Sequence, residues 1–148
     1  MSSTGLAATA ALGAGLVGAM QVAVQGRLGE RVGSLEAVAT AALVGGLLAL
    51  FLLLVVRQSF GGIAEAVSGP KWQLLGGVFA VGIVFGITYA AGRIGVLATS
   101  AFLIAAQLGL AALIDRFGWF GVDRVAATWP RVTGIMLLAF GAALTLKR

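Results

Sequence analysis

The chain has 148 residues, of which 60% are hydrophobic and 10% charged, with a mean hydropathy of +1.07. A soluble domain carries about 25% charged residues, so this chain cannot cover its own surface with polar groups, and a disordered chain would be poorer in apolar side chains. Without Cys or His, disulfides, thiolate chemistry, zinc sites and imidazole acid–base catalysis are excluded. No enzyme activity and no cofactor is therefore expected, and the net charge of +5 is spread over span ends rather than clustered as nucleic-acid binding requires.

Uncharged stretches set the spans. Residues 1–26 carry no charge, and neither do 37–56, 72–92 and 94–114, the last three being 20, 21 and 21 residues long. At 1.5 Å per residue, 21 residues reach about 31 Å, matching a hydrocarbon core of about 30 Å. A fifth gap, 132–146, has only 15 residues and crosses only if Trp129 and Pro130 join it and Arg131 snorkels. The expectation is an all-α integral membrane protein of five transmembrane helices at about 5–26, 37–56, 72–92, 95–114 and 130–146, forming one domain over 1–148. The first span has the apolar core of a secretory signal but no basic leader, and four more apolar segments follow it. The connections are expected at Arg27–Ser34, Arg57–Lys71, Gly92–Gly95 and Asp115–Arg131. The second and fourth mix aromatic and charged residues and suit the membrane interface.

Lys and Arg divide equally between the two faces. Arg57, Lys71, Arg116, Arg124 and Arg131 fall on one, and Arg27, Arg31, Arg93, Lys147 and Arg148 on the other. Orientation follows the basic excess, so a flat count permits insertion both ways. Two oppositely inserted copies can then pair about an axis in the membrane plane, the symmetry on which alternating-access transporters are built. A fixed orientation decided during insertion is the competing reading.

The run Gly18-Ala19-Met20-Gln21-Val22-Ala23-Val24-Gln25-Gly26-Arg27-Leu28-Gly29, followed by Gly33-Ser34 and Leu43-Val44-Gly45, resembles the opening of the YdcZ-like branch of the drug/metabolite transporter superfamily. Trp72, Leu75-Gly76-Gly77, Arg93-Ile94-Gly95, Ala106-Gln107 and Leu113-Ile114-Asp115-Arg116-Phe117-Gly118 continue the pattern in order over nearly the whole chain. The resemblance implies a five-helix exporter of the bacterial cytoplasmic (inner) membrane, working as an antiparallel homodimer or a paralogous heterodimer on a small-molecule substrate. Two positions depart from the family pattern: Gln25 stands where Asn is usual, and Gly92 where Pro is usual. Gln25 keeps the amide on a longer arm, and Gly92 could still break the third helix.

Five side chains are candidates for the substrate site. Gln21 and Gln25 are i,i+4 neighbours on the face of Gly18. Gln107 is the only amide of the fourth span, with Ser100 two turns earlier on its face. An unsatisfied amide in hydrocarbon costs about 2–7 kcal/mol, so each bonds either to another helix or to a solute. Tyr89 shares a face with Gly82 and Gly86, and there a helix-packing groove competes with a pocket. No carboxylate lies inside a span, so proton coupling would fall to Glu36 or Asp115 at span ends. Ser34 as N-cap and the helix dipole account for Glu36 equally well, and an ion pair or helix-end charge accounts for Asp115. Trp72, Trp119, Trp129 and Phe120 read as an aromatic belt. A secondary transporter is the leading reading. Its rivals are a dual-topology ion channel, disfavoured because the chain has no Asn, and a non-transporting subunit that needs a paralogue.

Overall fold

A computed structural model describes residues 3–126 and 128–146. Among them the structure is all-helical: α1 (Ser3–Val32), α2 (Ser34–Arg57), the short α3 (Gly61–Ser68), α4 (Leu75–Phe117) and α5 (Trp129–Leu144). Turns of 3₁₀ helix, Lys71–Leu74 and Trp119–Gly121, precede and follow α4. Lys147 and Arg148, counted above among the boundary charges, lie outside the described residues.

Three helical stretches are long and apolar enough to cross a bilayer: Thr4–Val32, Ser34–Arg57 and Lys71–Phe117. The last has 47 residues, about twice what one crossing needs, and is interrupted at Gly95, whose φ of 82° and ψ of 168° are not helical. α5 is apolar but has only 16 residues. Almost nothing on α1 and α2 is covered by the rest of the chain: 6% of the most apolar window of each is buried. Large apolar side chains such as Leu12, Leu16, Val56 and Leu97 stand open, which water would not tolerate and lipid does.

The corners are tighter than the charge pattern suggests. Arg27–Val32 was expected as a loop but is the end of α1, with Arg27 paired to Glu30 one turn on at 3.1 Å. The whole connection to α2 is Gly33, at φ 99° and ψ 151°. Ser34 is therefore the first residue of α2 and not its cap, and no side chain caps that end. Gly92 does not break a helix either. Helix continues through it, and the break falls three residues later.

By compactness the chain divides into two units, residues 24–92 and residues 1–23 with 93–148. In the first, the end of α1 crosses the first half of α4, and at two points α1 contributes no side chain to the contact. A Cβ on Gly26 would lie 2.7 Å from Ala91 Cβ, and one on Gly29 would strike the Thr88 methyl while lying 3.5 Å from the Thr88 carbonyl oxygen. Without a hydrophobic drive between helices in lipid, such close packing is what holds them together. In the second unit, Ala142 of α5 is buried, as are Ala98 and Thr99 of α4. Gly18, Gly82 and Gly86, which the sequence offered as packing positions, have no neighbour within 4 Å.

This distribution predicts opposite outcomes for two kinds of glycine. Gly29→Ala should lower stability by about 1–3 kcal/mol through overpacking, whereas Gly82→Ala and Gly86→Ala should be neutral or slightly stabilising, since Ala is the better helix former. Thermal unfolding in detergent, followed by circular dichroism, checks both.

Candidate functional site

Gln25 and Thr88 form a buried polar contact at the crossing of α1 and α4, with 6% and 2% of their surface exposed. Thr88 Oγ1 lies 2.7 Å from the Val84 carbonyl oxygen and 3.5 Å from Gln25 Oε1. The hydroxyl has one proton and gives it to the nearer carbonyl. Turning the Gln25 amide over would let its NH₂ donate to Thr88 Oγ1 instead. In that second orientation the amide is bonded to a neighbouring helix, the structural alternative left open for it. Thr88 was missed in the sequence. A signal existed, because Val84, Thr88 and Ala91 fall on one face of the third span.

Gln21 and Gln107 have a different environment. Both are exposed, and among the described residues neither side chain makes a hydrogen bond. Gln107 lies 12 residues beyond Gly95, about 18 Å along the helix and so close to mid-bilayer depth. An amide there, on the outside of a single chain, has its hydrogen-bonding capacity unspent.

Ser100 lines an apolar groove of about 440 Å³ between α4 and α5. Leu97, Ala101 and Ile104 complete the α4 wall, and Leu137, Leu138, Gly141 and Ala142 form the other. Gln107 is not among the lining residues, so the groove and the mid-span amide are separate features of α4. Ser100 Oγ is buried without a hydrogen-bond partner. Tyr89 is exposed and stacks on Phe85 one turn earlier, with ring centroids 6.4 Å apart.

The two carboxylates lie at helix ends. Glu36 is exposed in the first turn of α2, where the helix dipole favours an acid, and its carboxylate curls back over Gly33. Asp115 pairs with Arg131 at the start of α5, at 3.6 Å, rather than with its neighbour Arg116. Its backbone carbonyl accepts the Val125 N–H at 2.9 Å, which folds the 118–126 loop back on the end of α4. Among the aromatic residues of that region, Phe117 stacks on Trp119 at 5.5 Å, and Trp129 is 83% exposed. No group of three or more acidic, His or Cys side chains capable of holding a metal occurs among the described residues.

The orphan hydroxyl gives a directional expectation. Ser100→Val should raise the thermal midpoint, because it removes an unsatisfied polar atom worth about 1–3 kcal/mol and fills part of the groove. Asp115→Asn, by contrast, breaks a half-exposed pair and should cost no more than about 1 kcal/mol. Both are read by thermal unfolding in detergent.

Comparison with known proteins gives one family. The family described as "Putative inner membrane exporter, YdcZ" matches residues 6–144. No curated protein and no solved structure matches the chain. The apolar helices and the family together place the protein in a membrane. The chain thus belongs to the YdcZ family of inner-membrane exporters, which are transporters rather than enzymes.

Proposed function

We propose that the protein is a small secondary exporter of a small organic solute, a single five-span domain of the bacterial cytoplasmic membrane. It works by alternating access as an antiparallel dimer, of itself or with a paralogue, around a site near the bilayer midplane. The observation that carries this reading is Gln107, an amide within the fourth span that is exposed on one chain and makes no hydrogen bond among the described residues. In hydrocarbon that state is costly, and either a second subunit or a polar solute relieves it. Gln21, equally exposed and unbonded, is the second ligand candidate. Gln25 already bonds within its own chain and serves the helix crossing first. Ser100 and Tyr89 are secondary contacts. The groove beside Ser100 is suited to the apolar part of a solute, and the Tyr89 hydroxyl could meet a polar group near the Arg93 end. Glu36 and Asp115 are the two carboxylates available for proton coupling. The balanced Lys and Arg count supports the antiparallel arrangement.

A thermal-shift screen against metabolites and drugs identifies a ligand of the purified protein. With that ligand, Gln107→Ala should lose at least tenfold in transport by proteoliposomes while the thermal midpoint holds, and full activity would remove Gln107 from the site. Adding two Lys after Ser2 should force one orientation, visible with a C-terminal reporter, and abolish activity in a strain lacking paralogues. Undiminished transport from singly oriented copies would overturn the antiparallel dimer.

A further inference from the structure

Two corners of the chain are built alike. Gly33 joins α1 to α2 at φ 99° and ψ 151°, and Gly95 divides α4 at φ 82° and ψ 168°. Both lie in a region of backbone space that is essentially open only to glycine. The residues around them also correspond. Arg31-Val32-Gly33-Ser34-Leu35 and Arg93-Ile94-Gly95-Val96-Leu97 share Arg, a β-branched residue, Gly and Leu at an offset of 62 (95 − 33). Identity outside this stretch is sparse.

Part of the packing repeats at the same offset. Gln25, Gly26 and Ala37 are buried, and so are Ile87, Thr88 and Thr99. More telling is the exchange of contacts at the helix crossing. Adding 62 to 26 gives 88, and to 29 gives 91. Gly26 meets Ala91, and Gly29 meets Thr88. When position i of one copy touches position j of the other, and j of the first touches i of the second, the two are related by a two-fold axis. Glu30 packs on Gly92, its own counterpart, as a residue beside such an axis must. The three pairs are separated by 65, 62 and 59 residues, centred on the offset of 62.

We propose that residues 22–57 and 84–119 are two sequence copies of one helix–corner–helix unit, and that within residues 24–92 the ends of their first helices meet about a local pseudo-two-fold axis at Gly26 and Gly29 against Thr88 and Ala91. α5 stands outside the repeat. This is a relation inside one chain and is independent of the antiparallel pairing of two chains. It also gives the candidate site residues a common character. Gln21 and Gln25 correspond to Ile83 and Ile87, and Ser100 and Gln107 to Val38 and Gly45. Each is a polar departure from a frame that its counterpart builds without one.

The chain has no Cys, so engineered pairs can be read cleanly. Gly26→Cys with Ala91→Cys, and Gly29→Cys with Thr88→Cys, should both form intramolecular disulfides in native membranes under mild oxidation, seen as a mobility shift reversed by reductant. The second pair has a Cβ separation of 3.8 Å, within the range disulfides use, and the first, at 2.7 Å, reaches that range once the helices part by about 1 Å. Efficient cross-linking of one pair alone would show a crossing without the two-fold exchange and overturn the proposal. As a measurement that needs no double variant, Gly33→Ala and Gly95→Ala should lower the thermal midpoint by similar amounts, roughly 3–10 °C each. A neutral Gly95→Ala beside a destabilising Gly33→Ala would show that the corners are not equivalent. No transport assay enters either test, so their failure is distinct from failure of the exporter reading.

Discussion

In hydrocarbon no water is available to bond a peptide group, so every backbone N–H and C=O must find a partner within the protein. Much else in this structure follows from that one constraint. It keeps the described residues helical except near the interface, and it favours corners that leave as few peptide groups free as possible. Gly33 and Gly95 meet that demand with one residue each. The Gly33 carbonyl accepts the Ala37 N–H at 3.1 Å, and its own N–H bonds to the Gly29 carbonyl at 3.0 Å. The Gly95 carbonyl accepts the Thr99 hydroxyl at 2.8 Å. Each corner thus satisfies carbonyl groups that a longer loop would leave to solvent.

The same constraint sorts the polar side chains. Thr residues within the helices return their protons to the preceding turn, as Thr40, Thr88 and Thr133 do to Glu36, Val84 and Trp129, and so cost little in lipid. Gln25 resolves its amide against Thr88 across a crossing that two glycines make close enough. Gln21 and Gln107 have no such arrangement and point the chain towards something outside itself. A structure that spends its close contacts on one crossing, and leaves α2 almost uncovered along its length, is suited to assembly with another helical surface in the membrane.

The legibility of this protein was uneven in a physically sensible way. The resemblance carried by Gln21, Gln107 and the Leu113–Gly118 run led to the family that matches the chain, because those residues are ordered along it and need no three-dimensional knowledge. The charge gaps located helices for the same reason, since a charge in hydrocarbon is expensive wherever it sits. Corners were less readable. Arg27–Val32 looked like a loop because it is charged, but charges at a span end can remain helical when Arg27 and Glu30 pair along the helix. Ser34 looked like a cap because Ser usually caps in water, whereas the one-residue turn at Gly33 left it no room outside the helix.

Composition and order alone determined that this is a helical membrane protein of an exporter family with no thiol and no imidazole, because solvent preference and residue chemistry are properties of single side chains. Which glycines pack and which stand open, which amide is bonded and which is spare, and that Asp115 takes Arg131 rather than Arg116, were decided only by tertiary structure. Those outcomes depend on which helix face meets which, and a helix presents small or polar residues on several faces at once.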